Sequence, residues 1–544
     1  MKNVVNRAFM AKTISKYISV LLVASLSFTA CEDWMNAVPE GATKTADQKS
    51  EAAEQNPNAA AADIAAIYSQ FIQLYAGLGD LGYTRHNDFG YAAICLFSEE
   101  QGQDLVSPNI GYNWFNYSDF SKNRDNTLTT TYGLISHLVW NEYFKIIHAC
   151  NNVIEIVDPA NPGAMKYGLS QAYAVRAFCY LQLAQLYQFT YSDATKDKPC
   201  VPIVKDRMPA EKQGNNPRAT VQEVFDLIFA DLNYACDSLV DFVRADKGYV
   251  NQAVAFGIRA RANLVAQKWA EAAADADKAL QLSGATALSI DEAGLPGFAS
   301  ADAHNVLWAS IITETNDVVQ TGIINWPSHL STFYGDGYTG VGATRWIASA
   351  LYDEIADTDV RKGWWLDEDL ESPLLDAPGY NVLKGDVQAQ ETPYLNVKFG
   401  TGDGTVTGLG AAAADWILMR AEELILIKAE GLAKSGGNGA GVLTEFVQGY
   451  RDPSYSIAGH GLGLEDEIWW QRRVELWGEG FAWGDIMRLE KPIIRTNSTN
   501  WPAEWADQDV PAKHGVLIWL IPQAEIEANA GISVSDNNPV VAFP

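Results

Sequence analysis

The sequence predicts a mostly α-helical protein: a scaffold of tetratricopeptide-like helical hairpins, into which a loop-rich subdomain with short strands is inserted. Two observations carry this. Residues 249–267 and 269–282 form a helical pair. Within it, Ala253, Ala260, Leu264, Trp269, Ala272, Ala276 and Ala279 give the small-residue seams along which such hairpins stack. From His304 the texture changes, as the apolar run NVLWASII gives way to residues rich in Gly, Thr, Pro and aromatics. The repeat period is irregular, so the array is degenerate and fused to something else.

At 544 residues the chain can bury a large core, and 48% hydrophobic with 19% charged residues marks a globular protein. The net charge of −28 argues against nucleic acid or another polyanion as the main ligand.

Residues 1–30 read as a secretory leader. Lys2, Arg7, Lys12 and Lys16 form its basic part, and 18–30 form an apolar run too short to span a bilayer comfortably. The run ends Phe28-Thr29-Ala30-Cys31, and small residues before Cys suit a lipoprotein signal peptidase, so Cys31 is the expected lipidation site. The alternative is an ordinary leader with a chance Cys. Residues 31–60, rich in Ala, Glu, Gln, Asn and Thr, read as a flexible tether. Stable anchoring takes more than one acyl chain, at about 0.8 kcal/mol per buried CH₂. Cys31→Ala should therefore release a folded protein from the membrane fraction. Membrane-bound Cys31→Ala protein, with no transporter present, would count against the anchor.

The elements follow in order. Residues 61–75 form a first helix, and 132–157 a long one that ends before Pro159. Residues 171–189 form another. Thr220 caps a helix to 239, with Glu223 completing a capping box. After the hairpin pair and the strand at 304 come a helix over 345–356, a strand over 394–399 and a long helix over 415–434. Near the C-terminus, Trp470, Val474 and Trp477 recur at i, i+4 and i+7 on one helical face. Gly478 and Gly480 break that helix, and a short one over 484–489 follows.

That last stretch, RRVELWGEGFAWGDIMRLEK, resembles the C-terminal signature of SusD/RagB proteins, the outer-membrane nutrient-binding lipoproteins of Bacteroidota. The pattern R-R-x-E-L-x-x-E-G-x-R-x-x-D-x-x-R is met by Arg472, Arg473, Glu475, Leu476, Glu479, Gly480, Asp485 and Arg488. It departs between Gly480 and Asp485, where the pattern's Arg is absent. Further matches are the segment from His86, Arg176 to Tyr187, the run from Pro199, Asp359-Val360-Arg361, Lys398, Arg420 to Glu430, and the closing run from Ile518 to Ile526. Glu32 and Asp33 resemble the family's surface-export tag. The resemblance implies a SusD-like division into 61–300 (helical), 301–410 (loop-rich, ligand-binding) and 411–544 (C-terminal helical). It also implies an outer-membrane, surface-exposed lipoprotein that captures a glycan and hands it to a SusC-like TonB-dependent transporter. Peptides are the main alternative ligand, and no catalysis or cofactor is implied.

The residues offer little for chemistry. Glu475 and Glu479 share a helix face, but Arg472 and Arg473 lie within one turn, so ion-paired core acids are expected rather than a glycosidase pair. An exported glycoside hydrolase remains the remote enzyme reading. Glu99-Glu100 and Glu422-Glu423 are adjacent and point to different faces. His137 and His148 stand roughly 16 Å apart along one helix, too far for one metal. No HExxH, GxSxG or Walker loop occurs. Gly335, Gly337 and Gly340 fit GxGxxG without a strand before them, and read as a flexible aromatic loop. Asp367, Glu368 and Asp369 leave a Ca²⁺ site open without EF-hand spacing. Beyond Cys31, five widely spaced cysteines remain, of which Cys95, Cys150 and Cys179 are expected as buried thiols.

Two loop-like stretches are enriched in aromatics against a chain average of 11%. One holds Tyr112, Trp114, Phe115, Tyr117 and Phe120; the other holds Trp326, Phe333, Tyr334, Tyr338 and Trp346. Such rings either pack locally or stack on a ligand, and sugar rings offer apolar C–H faces. Asn113, Asn116 and Asp119 supply groups for hydroxyls. The family resemblance implies that the two stretches converge, with Tyr112, Trp114, Tyr117, Trp326, Tyr334 and Tyr338 as exposed binding residues.

Overall fold

A computed structural model gives the fold for residues 49, 51, 60–116, 118, 120, 125–205 and 214–544, the side chains of 131 and 132 excepted. The leader, Cys31, nearly all of the 31–60 tether, Tyr117 and Asp119 lie outside the described residues. In chain order the main elements are α1 (Ala61–Ser69), α2 (Tyr91–Glu100), β1 (Leu105–Val106), α3 (Thr131–Glu155), α4 (Lys166–Tyr187), β2 (Pro199–Pro202), β3 (Arg218–Thr220), α5 (Val221–Ser238), α6 (Gln252–Val265) and α7 (Trp269–Ser283). They continue with β4 (Val306–Ser310), β5 (Trp346–Ile347), β6 (Trp416–Arg420), α8 (Ala421–Lys434), α9 (Gly439–Tyr450), α10 (Leu464–Glu475) and α11 (Ala482–Arg488).

The fold is mostly α, as the sequence predicts. Helices α3 to α7 stack each on the next, and α8 takes the following place against α7. The seam of α6 and α7 explains the fit. Ala253, Ala260, Ala272, Ala276 and Ala279 are all buried, so the two backbones approach closely. Helix α5 starts where expected: the Thr220 side chain accepts from the Glu223 amide, and Glu223 accepts from the Thr220 amide at 2.8 Å. Helices α9 and α10 then pack on α8, and α11 reaches back to α2 and α4. One hydrophobic core runs from Ala60 to Ile532. Cys95, Cys150, Cys179, Cys200 and Cys236 are buried free thiols within the protein.

Three expectations on local structure need correction. Residues 415–434 are not one helix: Trp416 to Arg420 are extended and pair antiparallel with β4, Val306 opposite Arg420 and Ser310 opposite Trp416. Two apolar runs bury each other there, and the helix starts only at Ala421. Residues 345–356 are not a helix either. Trp346 and Ile347 pair with Val106 and Leu105, the Ile347 amide donates to Tyr394 O, and only Ser349–Tyr352 is helical. Residues 394–399 form no continuous strand; Leu395, Asn396 and Phe399 each pair singly, with Trp346, Trp365 and Gly297.

Candidate ligand-binding surface

The two aromatic stretches converge in part. The first loop is held from below by Asn113. Its Nδ2 donates to Pro108 O at 2.9 Å, while its Oδ1 accepts from the Phe115 amide at 3.1 Å and from buried Arg345 at 3.0 Å. Arg345 in turn faces Glu100 at 3.3 Å. Trp114 is tied by its carbonyl, which accepts from Asn87 Nδ2 at 2.7 Å. Its ring stays half-buried, stacked on the His86 imidazole at 4.7 Å with the Arg85 guanidinium 5.0 Å from its centroid.

The second stretch supplies Tyr338. Its amide donates to Ser328 Oγ at 3.0 Å, its ring stacks on His329 at 4.9 Å, and its hydroxyl hydrogen-bonds His86 Nδ1. Tyr338 meets Trp114 edge-on at 6.5 Å. His329 Nε2 donates to His86 O at 3.0 Å, so both loops rest on one histidine pair. Burial and then Arg85 lower the His86 pKa. Burial, then Arg345, takes His329 well below the ordinary range, so both rings are neutral at pH 7. Tyr112, two residues before Trp114 in the same loop, is 63% exposed.

Trp326 and Tyr334 do not belong to the surface, contrary to expectation. Trp326 is 1% exposed; its indole N–H donates to Ala414 O at 2.8 Å, and Phe399 and Trp416 meet it edge-on. Asn325 caps the short helix Trp326–Leu330, and the helix turns its first residue inward. Tyr334 is also 1% exposed and donates to Gly322 O at 2.7 Å. Asn113 is spent on the loop backbone and on Arg345, and Asn116 Nδ2 is tied to Asn109 Oδ1 at 2.6 Å. Tyr112, Trp114 and Tyr338 therefore remain of the described candidates. Arg85, His86 and His329 were missed by sequence reasoning. The one signal was the basic pair immediately before Asn87-Asp88.

The signature residues form a separate, buried constellation. Glu475 accepts from Arg420 Nη1 at 2.8 Å, from Arg451 Nη2 and Nε at 2.8 Å each, and from Arg361 Nη1 at 3.3 Å. Glu479 accepts from Lys398 Nζ at 2.6 Å and from Arg420 Nε at 2.8 Å. Burial pushes the Glu475 carboxyl up, but Arg451 and Arg420 overcome it and hold it well below the usual range. Burial brings Lys398 down to about 8 despite Glu479. Arg472 and Arg473 do not pair with these acids; they fork onto Asp485 and Asp104 instead. Gly478 and Gly480 take φ of 80° and 92°, and a Cβ on Gly480 would lie 2.6 Å from the Cys95 side chain. The turn they make aims the amides of Gly480 and Phe481 at Glu99 Oε1, at 2.8 and 2.9 Å.

Comparison with known proteins places this architecture. Residues 97–264 match the family described as "Starch-binding associating with outer membrane", and 368–539 match the SusD family, together more than half of the chain. A SusD-like protein of Formosa agariphila is 23% identical over 396 residues, covering 66% of this chain and 73% of that one. The crystal structure of a SusD-like carbohydrate binding protein from Bacteroides vulgatus superposes with a TM-score of 0.68 at 22% identity, over 89% of this chain and 98% of that one. A surface glycan-binding protein A from Bacteroides fluxus gives 0.60 at 15% identity, over 89% and 99%. What the fold defines is a helical-array protein closed by a buried arginine–glutamate cluster. The chain belongs to the SusD/RagB family. No helix among the described residues is long and apolar enough to cross a membrane.

Proposed function

We propose that this protein binds a glycan at the cell surface through Tyr112, Trp114 and Tyr338, and passes it to a SusC-like TonB-dependent transporter while anchored by lipid at Cys31. The observation that carries the binding step is the Trp114–His86–Tyr338 cluster. Stacked, cross-braced rings lose little freedom when a sugar face settles on them. The matched family description and the names of the structural neighbours support a glycan as the ligand class. A binding rather than a catalytic reading is supported by Glu475 and Glu479. These two carboxylates are buried and engaged by Arg361, Arg420, Arg451 and Lys398.

Trp114→Ala and Tyr338→Ala are the test. Truncating a dominant aromatic costs at least about 2 kcal/mol of binding, or roughly thirtyfold in Kd. Isothermal titration against soluble polysaccharides should show that loss while the melting transition moves by no more than about 1 kcal/mol. If both variants bind the wild-type ligand with unchanged Kd, the surface is not the binding site.

A further inference from the structure

His329 is fully buried in the last turn of the short helix Trp326–Leu330, so it touches no ligand itself. Its ring lies in a column of aromatics. Phe89 stacks on it at 5.4 Å and Tyr338 at 4.9 Å, and Phe115 meets it edge-on at 5.0 Å. A phenylalanine at this position would keep all three ring contacts. What the imidazole adds is its two nitrogens, and they are unequally used. Nε2–H donates to His86 O at 3.0 Å, whereas Nδ1 has no hydrogen-bond partner. A buried polar atom left unpaired is unfavourable. On packing alone histidine is therefore the poorer residue here, and the one bond it gains goes to His86.

That bond falls on the segment that holds the exposed side of the cluster. His86 stacks on Trp114 at 4.7 Å and hydrogen-bonds the Tyr338 hydroxyl through Nδ1. Asn87 Nδ2 donates to Trp114 O at 2.7 Å. Phe89 meets Phe115, the residue after Trp114, edge-on at 5.9 Å. From the other side, the loop carrying Tyr338 lies flat on the 326–330 helix. The Tyr338 amide donates to Ser328 Oγ at 3.0 Å, and a Cβ on Gly337 would stand 2.5 Å from Ser328 Cα. The His329–His86 bond thus joins the support of one loop to the support of the other.

We infer that His329 is a positioning residue of the aromatic surface: through His86 O it fixes the setting of Trp114 against Tyr338, 6.5 Å apart, at a cost in stability. Rings held in place before a ligand arrives lose less freedom when it binds. The inference rests on the reading of this surface as the glycan site.

The test substitution is His329→Phe in the full mature chain. Its melting temperature should be unchanged or slightly higher, because an unpaired nitrogen is removed and the ring contacts stay. Hydrogen exchange needs no ligand. It should speed up by roughly fivefold or more at amides within 85–89, 113–116 and 336–343, with α4 to α7 unaffected. Tyr338→Phe, which removes only the hydroxyl bonded to His86, should speed exchange in the same segments. Titration with soluble starch as the probe should show the His329→Phe Kd weakened by roughly fivefold or more. If the wild type does not bind starch, exchange alone decides. A merely structural role predicts the reverse pattern, with lower melting and unchanged affinity of the folded fraction. A large fall in melting, or failure of His329→Phe to fold, makes His329 a packing residue and overturns the inference. So does unchanged exchange, or an unchanged Kd where Trp114→Ala weakens it. If Trp114→Ala and Tyr338→Ala also leave the Kd unchanged, the site reading is what fails, and exchange still decides the role of His329.

Discussion

Glu475→Gln is expected to lower the stability of the fold by about 3–5 kcal/mol, the cost of removing one partner from a buried ion pair. The substitution leaves Arg361, Arg420 and Arg451, each 0–1% exposed, facing a neutral amide. The effect is read as a large drop in melting temperature, with glycan affinity of the folded fraction unchanged. A pH series gives a second readout. Glu475 has its folded pKa held below its unfolded value, so its contribution is present above the ordinary glutamate range and is lost as pH falls through the folded pKa. The wild type should therefore destabilise in acid more steeply than Glu475→Gln. Normal melting for the variant, combined with loss of an activity on polysaccharide, would turn the reading from binder to enzyme.

Trp326→Ala should be nearly as damaging, and for a different reason. Emptying a buried Trp site costs about 3–5 kcal/mol through lost transfer energy and the cavity left behind. Here it also strips Ala414 O of its indole donor. Chemical denaturation should show the lower midpoint. Trp114→Ala, in a ring of the same chemistry that stays half-buried, should show almost none of it. The pair of variants separates core from surface directly: equal melting of Trp114→Ala and Trp326→Ala would contradict the geometry of both loops.

Much of the scaffold was legible because its causes are local. The Thr220–Glu223 box, the alanine seams of α6 and α7 and the glycine turn after α10 each state their role within a few residues. Residues 415–434 were misread because WILMR is as apolar as a buried helix face. What makes it a strand is a partner, VLWAS, more than a hundred residues earlier. The aromatic loops were half legible for the same reason. Composition flags Trp114 and Trp326 alike, and no periodicity exists in irregular backbone to say which way a ring turns. Asn325 at the start of a short helix decides it for Trp326, and the His86–His329 bracket decides it for Trp114 and Tyr338. Arg472 and Arg473 were rightly placed in ion pairs, but their partners, Asp485 and Asp104, could not be read from neighbours in sequence.

The place of α8 against α7 has a consequence for how the chain reaches this state. The helical stack is laid down as far as Ser283, then interrupted, and completed only by residues from Ala421 onward. The Glu475 cluster likewise gathers side chains from positions 361, 420 and 451. Contacts so distant in sequence form late, because the loop between them must close first. A chain emerging amino end first therefore leaves the outer face of α7 uncovered until most of its length has appeared. Until Ala421–Lys434 arrives, that apolar seam is the surface on which the partly made chain is most open to misassociation.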